Sequence, residues 1–247
     1  MKKALIALAF LALPGLILAS DDEGYPLKKA PIDLHNKASL QKGAKLFVNY
    51  CMGCHSLEYQ RYNRMARDIG LTDEQVKDNL IFTGAKVGDT MKNAMPRADA
   101  KAWFGVAPPD LNVIARARGV NYLYTYLLTF YQDVTRPFGV NNAAFPNVSM
   151  PHVLWELQGM QKPVFETRKN HDGNETKLLK EFELVQSGSM SPPEYRETIT
   201  DLVNFLTYVG EPIQLKRQRI GIWVILFLGL SFVVFYLLKK EYWKDVH

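Results

Sequence analysis

Cysteine is nearly absent from these 247 residues: Cys51 and Cys54 are the only two. A scaffold stapled by several disulfides is therefore excluded. So is a structural zinc site, which needs about four ligands where the chain has no second cysteine or Cys-His cluster. Net charge is scarce too. The formal +5 comes from 30 basic and 25 acidic side chains. Lys2 and Lys3 lie in an apolar leader, and Lys239, Lys240 and Lys244 in a C-terminal tail, so the remainder is close to neutral and nothing in it asks for nucleic acid. Internal repeats and linkers are also missing, and the part between the two ends is long enough for one domain with a sizeable core or at most two small ones.

The two ends carry what the middle lacks, long apolar runs. Residues 1–20, "MKKALIALAFLALPGLILAS", show two lysines, an apolar stretch, a Pro14-Gly15 break and small residues before "DDE". That is the pattern of a secretory signal peptide, and the break and small residues favour it over a retained membrane helix. Ile220–Leu238 runs 19 residues without a charge and has Ser231 as its one polar residue. At about 1.5 Å per residue it nearly matches a hydrocarbon core of ~30 Å, so residues 220–238 read as a membrane anchor. Three basic residues flank the run on each side, so the positive-inside rule does not orient it. The signal peptide does: residues 21–219 are expected outside the cytoplasm, in the periplasm, and 239–247 inside.

In an oxidising compartment, two cysteines could simply pair. A thioredoxin-like dithiol would follow a strand, yet Leu40, Ala44, Phe47 and Cys51 fall at helical spacing. His55 directly after Cys54 ranks the readings. In C-x-x-C-H the two thiols add to the vinyl groups of a haem, and the adjacent imidazole can coordinate the iron. One haem c, attached through Cys51 and Cys54 with His55 as proximal ligand, is the expectation.

A six-coordinate electron carrier also needs a distal ligand, usually methionine. Most methionines are core filler. Met95 and Met150 each precede a proline that would stiffen the ligand loop, Met190 lies just before the last soluble helix, and His152 offers a bis-histidine alternative. The residues alone leave these open.

Elsewhere, "LTDEQVKDNLIF" predicts a helix capped by Thr72. The partial alternation on both sides of Asp172-Gly173 predicts a solvent-facing β-hairpin within residues 162–189. "DLVNFLTYVG" predicts a helix with Leu202, Phe205, Leu206 and Val209 as its apolar stripe.

Several blocks in order resemble the cytochrome c1 family, the haem subunit of the bc1 complex: "DLHNKASLQKGAKLFVNYCMGCHSL", "APPDLNVIARARG", "FPNVSMPHVL", "MSPPEYRETITDLVNFLTYVGEP", then the basic approach to a single anchor. The resemblance implies a mainly α c-type cytochrome domain with a small β-hairpin insertion and one C-terminal transmembrane helix. It implies that Gly43 lets the C-terminal helix cross closely, and that Met150 is the axial sulfur. It further implies that Pro109 packs beside the ring and that Arg118 pairs with a propionate, for which a guanidinium fork suits a partly buried carboxylate. Here His152 departs from the family pattern of two prolines after the methionine.

By the same resemblance, the electron comes from a Rieske iron–sulfur protein after quinol oxidation at cytochrome b. It leaves to a c-type cytochrome acceptor, from a dimeric complex in a bacterial inner membrane. Two rivals remain at this level. A free-standing tethered shuttle would carry the same CxxCH and anchor, and a haem peroxidase would need an open distal position.

Overall fold

Apolar residues at helical intervals build the first element. In the computed structural model, which describes residues 25–169 and 175–245, Lys37–Leu46 forms α1, N-capped by Asn36, whose side chain accepts from Ser39 N. Its continuation Phe47–Cys51 widens into a π-turn, with Met52 N donating to Phe47 O at 2.9 Å. The expected inward row is met: Leu40, Ala44, Phe47 and Cys51 are all buried. The signal peptide expected at 1–20 lies outside the described residues.

After the CxxCH turn come β1 (Leu57–Arg61), α2 (Tyr62–Ile69), α3 (Asp73–Leu80), β2 (Thr90–Met91) and α4 (Arg97–Phe104). Thr72 caps α3 as predicted: its hydroxyl accepts from Gln75 N at 3.1 Å while the Gln75 side chain accepts from Thr72 N at 2.9 Å, a reciprocal box. Next are α5 (Ile114–Arg118) and α6 (Val120–Leu128), hinged at Gly119, whose φ of +90° a side-chain-bearing residue rarely adopts. The chain continues through β3 (Phe130–Gln132), β4 (Val140–Asn142), α7 (Trp155–Gln158), β5 (Gly159–Lys169), β6 (Glu175–Ser187), α8 (Pro192–Gly210) and α9 (Gln214–Tyr242).

The strands make three separate antiparallel pairs, β1 with β2, β3 with β4 and β5 with β6. The last is the predicted hairpin, in register from Gly159 opposite Ser187 to Lys169 opposite Glu175, with two irregularities. Its Asp172-Gly173 turn lies outside the described residues. It starts before residue 162 because α7 stops at Gly159, which has a φ of +85°. Phe165, Leu184 and Val185 are exposed, in keeping with a solvent-facing insertion. The root is held by Gln161, which donates to the carbonyls of Leu128 and Phe130 at 3.1 and 2.7 Å. The two shorter pairs carry no alternation long enough to be read as strands.

The domain is organised around the crossing of α1 over α8. Leu202, Phe205, Leu206 and Val209 are buried as the stripe predicts, and the Phe47 and Phe205 rings lie 6.0 Å apart. Asn204, on the same helix, donates through Nδ2 to Asp33 O at 2.7 Å and Ser39 Oγ at 3.0 Å, while its buried Oδ1 has no partner among the described residues. Gly43 is the point of contact. A methyl there would overlap the Asp201 carbonyl oxygen and stand 2.6 Å from Phe205 Cβ.

Alanine for glycine in a helix ordinarily gains about 1 kcal/mol. At Gly43 the obstacle is backbone, which has no rotamer to move to, and overpacking of this kind typically costs about 1–3 kcal/mol. Gly43→Ala should therefore lower the denaturation midpoint of the haem-loaded protein. An unchanged or raised midpoint would show that the crossing has room to spare.

Helix α9 covers 29 residues, none of them buried against the rest of the chain. Its best 18-residue window has a mean hydropathy of 2.5, long and apolar enough to cross a membrane. The 220–238 run sits inside it. The additional helical turns carry Lys216, Arg217 and Arg219 beyond one end and Lys239 and Lys240 beyond the other.

Candidate functional site

The CxxCH turn is made by the chain folding back on itself as the π-turn ends. Cys54 N and His55 N both donate to Cys51 O, at 3.1 and 2.8 Å, which turns Cys51 toward the core and leaves Cys54 and His55 half-buried. Both sulfurs are free thiols. Burial, then the neighbouring Cys54, pushes the Cys51 thiol up to about 12, and burial raises Cys54 as well. Thiolate is the species that attacks in disulfide exchange. Burial therefore keeps Cys51 as the thiol at neutral pH.

His55 is oriented from the far side. Its Nδ1 lies 2.7 Å from Pro109 O, 54 residues along the chain. A carbonyl can only accept, so Nδ1 carries the proton and donates, which leaves Nε2 with a free lone pair. Burial lowers the His55 pKa, against the opposing pull of the Pro109 carbonyl and Asp110, and so favours the neutral imidazole a metal requires.

The Pro109 carbonyl is itself fixed by a small network. Asp110 accepts from Glu58 N and Asn112 N, both at 2.8 Å, Asn112 accepts from Tyr59 N at 3.0 Å, and Leu111 N donates to Ser56 O at 3.0 Å. Sequence reasoning missed Asp110 and Asn112. The signal was there, because Asp-x-Asn after two prolines is the composition of an Asx-turn.

An open cleft is lined by Cys51, Cys54, His55, Pro108, Met150 and Pro151, with Tyr50, Phe104, Val106 and Val153 among its apolar walls. Met150 is the candidate distal ligand that shares this cleft with His55. Its sulfur accepts a hydrogen bond from Tyr126 Oη at 3.3 Å. Met190 lies in a different groove and accepts from Thr198 Oγ1 at 3.4 Å. Met95 lines a neighbouring depression that shares Cys54 but not His55. His152 is buried with its ring stacked on Phe130, 4.9 Å away and 3° from parallel, and burial holds its pKa down at about 4.

Pro109 contributes its carbonyl, and Pro108 is the proline that lines the cleft. Arg118 stands outside the lining, its guanidinium 5.8 Å from the Tyr122 ring centre. Arg116 is committed elsewhere, to Glu211 at 3.5 Å beyond the end of α8.

These donors suit a haem: two thiols three residues apart, a neutral imidazole with its second nitrogen tied back, a thioether in the same cleft and apolar walls. The sequence comparison agrees, since the model of the Cytochrome C1 family matches residues 27–246. The chain belongs to the cytochrome c1 family. It is 53% identical to Cytochrome c1 of Allochromatium vinosum, aligned over 247 residues covering the whole of both chains. It is 48% identical over 244 residues to a protein of Nitrosomonas europaea named Ammonia monooxygenase gamma subunit, covering 98% of this chain and 97% of that one. A more distant relative, Cytochrome c1 of Rhodospirillum rubrum, is 24% identical over 284 residues, with 99% and 97% covered.

Cytochrome c1 is the haem subunit of the bc1 complex, a respiratory redox assembly, and the family implies haem c as cofactor. Membrane anchoring is a family trait that α9 can provide.

Proposed function

We propose that this chain is the haem c subunit of a quinol:cytochrome c oxidoreductase, taking one electron from the Rieske iron–sulfur protein and passing it to a periplasmic c-type cytochrome. The observation that carries the proposal is the shared cleft of Cys51, Cys54, His55 and Met150, with His55 Nδ1 held 2.7 Å from Pro109 O. Haem bound there supplies reversible one-electron transfer at iron. The chain's own residues do the rest. Cys51 and Cys54 form the two thioethers, His55 presents Nε2 and Met150 its sulfur. Pro109 fixes the imidazole tautomer through its carbonyl, as outer partners of metal-bound histidines do. Arg118, free of acidic partners among the described residues, pairs with a propionate.

Residues 1–20 act as signal peptide, 21–219 form the periplasmic domain, 220–238 anchor it in the bacterial inner membrane, and 239–247 remain in the cytoplasm. The partners are cytochrome b and the Rieske protein, in a dimeric complex. No side chain here is required as general acid, base or nucleophile.

Detergent extraction of the native protein, with every co-purifying subunit identified, tests the assignment. Cytochrome b and a Rieske protein should come with the chain. Purification as a lone haem polypeptide would favour a tethered shuttle, and co-purification with monooxygenase subunits in place of cytochrome b would favour the role named in the Nitrosomonas relative. Either result overturns the proposal.

A further inference from the structure

An aromatic row runs from the approach of α6 to the Met150 loop. Tyr122 and Tyr126, one helical turn apart, stack with ring centres 6.1 Å apart. Tyr126 meets Phe130 edge-on at 5.1 Å and 74°, and Phe130 stacks on His152, two residues past Met150. Tyr126 is held by its main chain as well, because its carbonyl accepts from Asn142 Nδ2 at 2.7 Å and Asn142 is fully buried. With ring and backbone so held, the phenol donates to Met150 Sδ at 3.3 Å. Burial, then Tyr122, raises its pKa, so it stays a donor through the physiological range.

A thioether is a weak acceptor, and Tyr62 Oη and Thr198 Oγ1 also donate to methionine sulfurs, Met52 at 3.5 Å and Met190 at 3.4 Å; of these three methionines Met150 is the one that lines the cleft with His55. Sulfur carries two lone pairs. One can go to a metal while the other accepts the phenol.

We infer that Tyr126 is a positioning residue for the Met150 sulfur, and that its O–H raises the reduction potential of the haem this sulfur would ligate. The inference rests on reading Met150 as axial ligand. A donated hydrogen bond withdraws electron density from the thioether, and ferric iron depends on that density more than ferrous iron does. The O–H dipole also turns its positive end toward the site, across apolar surroundings where screening is weak. Both effects disfavour the oxidised state, so they add.

Tyr126→Phe keeps the ring and both aromatic contacts and deletes only the donor. The measurement is an equilibrium redox titration of the full-length, haem-loaded protein in detergent, together with the near-infrared sulfur-to-ferric-iron charge-transfer band. At a fixed ambient potential the reduced-to-oxidised ratio should fall three- to tenfold, tenfold being 59 mV for one electron, and the band should shift or weaken. Tyr124→Phe, the same deletion on the same helix, should move neither. Replacing Tyr126 with 3-fluorotyrosine, a stronger donor of similar volume, should shift the ratio in the opposite direction.

An unchanged potential and band in Tyr126→Phe would overturn the inference while leaving Met150 as ligand. A fluorotyrosine shift of the same sign as phenylalanine would also overturn it. If the unsubstituted protein shows no such band, Met150 is not the ligand and both readings fall together.

Discussion

Changing both Cys51 and Cys54 to alanine is expected to abolish covalent haem altogether, read as loss of haem-dependent peroxidase stain at the chain's position on a denaturing gel. Each thiol can make one thioether, so either single change should leave one link and a stained band. The pair is thus additive in bonds and all-or-none in outcome. The double change also removes the advantage of intramolecular binding. Tethered haem meets His55 and Met150 at a high effective concentration, whereas free haem must pay its own association cost. Persistent stain in the double variant would place the attachment elsewhere.

Those cysteines show how far a sequence can be read. CxxCH carries chemistry in five consecutive residues, the row of Leu40, Ala44, Phe47 and Cys51 and the Leu202–Val209 stripe announce themselves by periodicity, and resemblance pointed to a close crossing at Gly43; the structure buries both rows and leaves no room for a methyl at Gly43. Thr72 and the hairpin were legible for the same reason, because their signals are local. What stayed hidden depends on contacts between distant segments. Nothing near His55 says that its Nδ1 will find a carbonyl 54 residues on. Tyr122 and Tyr126 read as one face of a helix, but the target of the second phenol lies 24 residues away across a β-ribbon. The π-turn was invisible because widening a helix by one residue preserves its apolar spacing nearly intact. The distal ligand falls between these cases. From residues alone Met95, Met150, Met190 and His152 stood together, resemblance chose Met150, and the cleft supports that choice by gathering it with His55.

Met150→Leu should produce the largest functional change of any single substitution at conserved volume. Packing alone would cost little, typically under about 1.5 kcal/mol for such a swap. A second cost comes from Tyr126, whose half-buried O–H loses its acceptor, and an unsatisfied donor costs about 1–3 kcal/mol. Adding Tyr126→Phe should recover part of that loss, and a double-mutant cycle would measure it.

The redox effect of Met150→Leu is separate and larger. Met/His ligation raises a haem potential, so water or a nitrogen donor in place of the thioether should lower it by far more than the loss of one hydrogen bond does. Every 59 mV lost opposes electron arrival tenfold, about 1.4 kcal/mol. Quinol-dependent reduction of an acceptor cytochrome should then fail even though the denaturing gel still shows attached haem. The emptied position should also bind carbon monoxide. Met190→Leu is the control, since its sulfur faces Thr198 in another groove. If Met190→Leu lowers the potential and admits carbon monoxide while Met150→Leu does neither, the ligand has been misassigned; the thioether chemistry of Cys51 and Cys54 would stand, because it is read independently on the gel.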